Sequence, residues 1–169
     1  VPVGWAAGLL AFALARPSLE SLFLGLPLGL VGEAIRFWAS GHIDKTRRLA
    51  TGGPYAHTRN PLYLGSVLIA AGVVVAAASP WVALTATAYL LAFYPSVMRE
   101  EARFLAERFS SAYAEWAAAV PLFLPRLTPG GPRATTFDGA RVRANREWRT
   151  AIALPLLALL LLLRQRLPF

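Results

Sequence analysis

The chain of 169 residues has no cysteine, two histidines and only 15% charged residues. Without thiols there is no disulfide framework, and two imidazoles leave too few ligands for a zinc centre, so no metal site is expected. Soluble domains carry roughly 25% charged residues. Here the shortfall is matched by a hydrophobic share of 56% and a mean hydropathy of +0.49, which also excludes a disordered chain. No Gly-x-Gly-x-x-Gly stands behind a strand-like run, which excludes a soluble Rossmann fold. No shift in composition divides the sequence, so residues 1–169 read as one domain. What remains is an integral membrane protein.

Its formal net charge is +8. Lys45, Arg47, Arg48 and Arg59 fall in one polar segment, and the arginines from Arg99 to Arg149 fall in another. Both segments lie between apolar runs, as the positive-inside rule expects of cytoplasmic loops. Attraction to anionic headgroups accounts for this pattern, and no nucleic-acid partner is expected.

Apolar runs cover residues 3–15, 19–43, 61–79, 80–98 and 151–163. A crossing helix needs about 20 residues, so the expected fold is all-α: a transmembrane helical bundle of about five spans with a cytoplasmic amphipathic helix. The two basic segments put the N-terminus inside and make 61–79 and 80–98 a hairpin with its tip outside. Ala13-Leu14-Ala15 resembles a signal-peptide cleavage site, but no basic segment precedes it and a retained helix is favoured. Asn60-Pro61 and Ser79-Pro80 mark helix starts as N-cap and first helical residue. Pro95 predicts a kink at the cost of a bond to Leu91. Beyond it Leu105, Phe109, Ala112, Tyr113, Trp116 and Val120 share a helix face that is expected to lie along the membrane surface. Residues 126–150 read as an arginine-rich loop that ends near Trp148, an interfacial anchor.

Chemistry concentrates in TGGPYAHTRNPLYLG at 51–65. Gly52 and Gly53 permit positive φ and close backbone approach to an anion, while Tyr55 and Tyr63 offer faces to a cation. His57 is a candidate proton acceptor, and His42 reads as a span-end residue. Glu100-Glu101 reads either as a solvated surface pair balanced by Arg99 and Arg103 or as a second site, an anion pair suited to an ammonium, a sulfonium or an arginine. Glu33 and Arg36, on one face of the second run, read either as a self-neutralising pair or as part of a site. Gly25-x-x-x-Gly29 reads as a helix-packing face.

The pattern Gly-Pro-Tyr-x-x-x-Arg-Asn-Pro-x-Tyr-x-Gly at 53–65 resembles the signature of the isoprenylcysteine carboxyl methyltransferase and phospholipid methyltransferase group. Its second half resembles Glu100-Glu101, Leu105, Phe109, Tyr113, Val120-Pro121 and Pro125. Asn60, Ser110 and Trp116 depart from the histidine, glycine and tyrosine common at those places. The resemblance implies a multi-span enzyme whose cofactor is S-adenosyl-L-methionine, held by Gly53, Pro54, Tyr55, Asn60, Pro61, Tyr63, Leu64, Gly65 and the pair Glu100 and Glu101. Arg59, Arg99 and Glu101 are the expected catalytic residues, at the cytoplasmic face. The arginines favour a lipophilic carboxylate of the isoprenylcysteine kind as acceptor. Alternatives are phosphatidylethanolamine N-methylation, a sterol-type reductase with a similar Arg-Asn-Pro-x-Tyr segment, and a non-enzymatic membrane scaffold.

Overall fold

The computed structural model describes residues 11–44 and 48–166. The expectation of a first span at 3–15 therefore lies largely outside the described residues. The structure is 72% helix, with no strand among the described residues. Helix α1 (Leu19–Ser40) leads through a loop and a 3₁₀ turn (Gly53–Ala56) to α2 (Pro61–Ala77), followed by α3 (Pro80–Ala119), the short α4 (Gly139–Ala144) and α5 (Trp148–Arg164). Among the described residues, α1 and α3 are long and apolar enough to cross a membrane, which supports membrane association. Helices α2 and α5 have 17 residues each, about 26 Å of helix against a hydrocarbon core of about 30 Å. Of the roughly five spans expected, two are helices of crossing length among the described residues.

Helix α1 opens on a capping box in which Ser18 and Ser21 each accept the other's backbone N–H, at 3.0 and 2.9 Å. Its principal partner is α2, and the two backbones meet through glycine. A Cβ at Gly25 would sit 2.7 Å from the Ala76 nitrogen, and one at Gly72 would sit 2.7 Å from the Gly29 nitrogen. The small-residue stripe that starts at Gly25 is therefore the packing face its spacing predicted. At one end of this pair Ala15, Ala76, Ala77, Val82 and Leu161 form an apolar cluster, and at the other end the loops gather.

The helix containing Pro95 keeps helical φ/ψ there, and the backbone leaves helical geometry further on, at Ser110, with φ 40° and ψ −110°. Two other expectations are corrected. Asn60 and Ser79 hold the N-cap positions, but neither side chain caps. The amide of Asn60 instead donates to the Leu122 carbonyl at 2.8 Å, tying α2 to the segment after α3. Finally, the face bearing Tyr113, Trp116 and Val120 is buried against Leu49, Ala39 and Tyr55. Protein, not bilayer, covers it, because the loop after α1 folds back over this stretch.

Candidate active site

The 3₁₀ turn places the first motif half. Gly53 has φ +56°, the left-handed region where glycine is unstrained, and His42 fills the space a Cβ would need. The turn closes through Tyr55 N–H to the Gly52 carbonyl at 3.1 Å. It is fixed from α3 by Trp116 Nε1, which donates to the Tyr55 carbonyl at 2.9 Å. Tyr55 is buried, and desolvation, with the charge of Glu101 adding to it, pushes its phenol far above the usual range. It therefore stays protonated and able to donate.

Next to it opens a cavity of about 600 Å³ between the loop, the start of α2 and the middle of α3. Tyr55, Arg59, Asn60, Pro61 and Tyr63 from the first motif half line it, with Glu101 from the second. The Tyr63 hydroxyl donates to the Glu101 carboxylate, and its ring meets Tyr94 edge-on at 5.2 Å. Arg59 donates through Nη1 to the Tyr113 hydroxyl at 3.0 Å, while its Nε–H is buried without a hydrogen-bond partner. A site of this volume with convergent polar groups is suited to a cofactor-sized ligand.

Other expected site residues fall elsewhere. Gly53, Pro54 and Leu64 lie beside the cavity and do not line it. Gly65 belongs to the helix crossing, where a Cβ would press on the Gly32 carbonyl and on Arg36 Cγ, each at about 2.6 Å. Arg99 and Glu100 are exposed and outside the lining, since neighbours on a helix diverge by about 100°. The Gly52 N–H is taken by Thr135 Oγ1 at 2.9 Å and is not offered to a ligand. His57 stands outside the cavity lining, with its Nδ1 donating to the Arg126 carbonyl at 2.9 Å. His42 is buried, with Nδ1 donating to the Thr135 carbonyl at 3.2 Å.

The structure also adds residues that motif reading passed over. Arg36 lines the cavity and pairs with Glu147 at 2.6 Å, not with Glu33. Its Nη1 donates to Ser66 Oγ at 2.5 Å and to the Leu62 carbonyl at 3.2 Å, so it anchors the first turns of α2. Glu33 keeps both carboxylate oxygens buried without a hydrogen-bond partner. Asp44, Arg48, Arg108 and Tyr94 add to the polar and aromatic lining. Only a charged residue at membrane depth hinted at Arg36, and nothing local in sequence pointed to Glu147.

Residues 31–112 match the family model for phospholipid methyltransferases. The matched segment supplies most of the cavity lining, and the match agrees with the resemblance carried by the two-part motif. Among curated proteins, the chain is similar to the cobalt-zinc-cadmium resistance protein CzcN of Cupriavidus metallidurans, at 41% identity over 110 residues covering 62% of this chain and 48% of that protein. It is also similar to the nickel-cobalt-cadmium resistance protein NccN of Alcaligenes xylosoxydans xylosoxydans, at 33% identity over 108 residues with the same coverages of 62% and 48%. The chain spans about half the length of the curated relatives it matches. No solved structure matches it.

Proposed function

We propose that the protein is a membrane methyltransferase that uses S-adenosyl-L-methionine and acts on a lipophilic acceptor, with the carboxylate of an isoprenylcysteine-like substrate favoured. One observation carries this reading. Two motif halves about forty residues apart in sequence meet around one cavity, Tyr55, Arg59, Asn60 and Tyr63 from one side and Glu101 from the other. When bound, S-adenosyl-L-methionine supplies an electrophilic methyl group on a sulfonium. The residues fit such a group: Glu101 is an anion for its ammonium, tyrosine faces suit a sulfonium, and the cavity carries guanidinium groups for a carboxylate.

The protein's part is to hold the acceptor in line and keep water out. A carboxylate acceptor is already ionised near neutral pH and needs no general base, whereas an amine must first lose a proton. Arg36, Arg48, Arg59 and Arg108 line the cavity against the carboxylates of Asp44 and Glu101. Arg36 is neutralised by Glu147, but the buried, unpartnered Nε–H of Arg59 leaves a donor for the acceptor's oxygen. That balance favours an anionic acceptor over phosphatidylethanolamine. Arg99, outside the lining, has no part in this assignment. The basic segments around the cavity support a cytoplasmic-face site in a multi-pass protein whose partners are the bilayer and its lipophilic acceptor. The names of the relatives concern metal resistance. In such a setting our reading gives this chain the methylation of a lipid or lipid-anchored component of the same membrane.

A calorimetric titration of the detergent-solubilised chain with S-adenosylhomocysteine tests the cofactor, and binding in the micromolar range is expected. Absent binding in folded protein would favour a scaffold, and displacement of bound S-adenosylmethionine by NADPH would favour a reductase. Labelled methyl transfer to a prenylated cysteine analogue, with none to phosphatidylethanolamine, is the expected acceptor result. The reverse would make the phospholipid the substrate.

A further inference from the structure

We propose that residues 133–147, beyond the family-matched segment, form a built-in strap across the glycine loop, and that Thr135 is a positioning residue for cofactor binding. This rests on the methyltransferase reading above. Two loop N–H groups converge on one hydroxyl: Thr51 N–H reaches Thr135 Oγ1 at 3.3 Å and Gly52 N–H reaches it at 2.9 Å. The clasp closes in the opposite sense through Ala134 N–H, which donates to Thr51 Oγ1 at 3.0 Å. Thr51 and Thr135 are both buried, so water does not replace these bonds. A hydroxyl oxygen has two lone pairs, and here both serve the loop.

The same residue also sets what lies beneath the loop. The Thr135 carbonyl accepts from His42 Nδ1 at 3.2 Å, and the His42 ring occupies the space next to Gly53 that a side chain would fill. Gly52 in turn accepts the Tyr55 N–H at 3.1 Å, so any shift at Thr135 passes through one peptide to the tyrosine on the cavity wall. Further contacts make the strap continuous. Asp138 N–H donates to the Gly41 carbonyl at 3.0 Å, Asn145 Nδ2 donates to the Ser40 and Ile43 carbonyls at 2.9 and 3.2 Å, and Glu147 ends it on Arg36. One segment outside the family motif therefore holds both the glycine loop and a cavity-lining arginine.

The test compares the Thr135→Val, Thr135→Ser and wild-type chains in detergent by S-adenosylhomocysteine calorimetry and amide hydrogen exchange. Thr135→Val keeps the shape and removes the acceptor. It is expected to weaken S-adenosylhomocysteine binding about tenfold or more and to speed exchange at residues 51–56, with Thr135→Ser restoring both. If Thr135→Val fails to fold, Thr51→Val opens the other half of the clasp and is expected to act in the same direction. Binding within twofold of wild type in the folded variants would overturn the positioning role, as would unchanged exchange at 51–56. Wild-type protein that binds no S-adenosylhomocysteine would overturn the methyltransferase reading and the cofactor role with it. The exchange data then decide the strap alone: faster exchange in Thr135→Val upholds it and unchanged exchange overturns it.

Discussion

Arg36 and Glu147 form an ion pair at 2.6 Å across 111 residues of sequence, while Glu33, one helical turn from Arg36, is left without a hydrogen-bond partner. Removing one member of a buried pair strands the other charge. Glu147→Ala is expected to destabilise the protein by about 3–5 kcal/mol. Glu33→Gln removes a carboxylate that has no hydrogen-bond partner and is expected to cost less than about 1 kcal/mol or to stabilise. Denaturation midpoints in detergent check both. Equal losses would mean that Glu33 is the true partner.

Ser110 sits at φ 40° within α3, a strained place for a residue with a Cβ. Ser110→Gly is expected to stabilise by about 1 kcal/mol, and Ser110→Ala is not. Thermal midpoints of the two variants decide it. A drop in Ser110→Gly, as at an ordinary helix interior, would place the break elsewhere.

Gly65, one of the expected cofactor residues, lets α2 approach α1. Gly65→Ala should therefore cost stability, about 1–3 kcal/mol, and leave the affinity of the folded fraction for S-adenosylhomocysteine unchanged. A change in affinity at constant stability would restore the ligand role.

Arg59 lines the cavity and Arg99 does not. On the proposed mechanism Arg59→Lys, which loses planar bidentate geometry, is expected to lower turnover on a carboxylate acceptor about tenfold or more. Arg99→Lys should stay within about twofold, since exposed charges contribute little. Steady-state methyl-transfer rates check the pair.

His42 gives a pH signature. Burial lowers its pKa; the bond to the Thr135 carbonyl opposes this, and the charge of Arg141 adds to it. The folded state thus binds the proton less readily than the unfolded state, whose value is near 6.5. The stability from neutral His42 is complete above that value and is lost as pH falls from it through the folded pKa. Melting temperatures between pH 8 and pH 5 should decline in the wild type and decline less in His42→Gln.

Much of this was legible along the chain. Hydrophobic runs, proline at helix starts and the Gly25-x-x-x-Gly29 spacing are local signals, and α1, α2 and α3 stand where those signals lie. The motif halves were legible for the same reason, since each sits within a few turns of one element. Which glutamate lines the cavity was not legible. Glu100 and Glu101 differ only in the direction they leave the helix, and that direction has meaning only once α2 brings Tyr63 to Glu101.

The sequence by itself determined an all-helical, strongly apolar chain with a two-part motif resembling a methyltransferase signature, because composition, period and short spacing act within one or two helical turns. The tertiary structure alone decided that Arg36 pairs with Glu147, that Thr135 holds the glycine loop, and that Gly65 packs against α1. Those choices join residues 33 to 111 positions apart, and long-range partners are selected by which surfaces close packing brings together, a quantity no local pattern encodes.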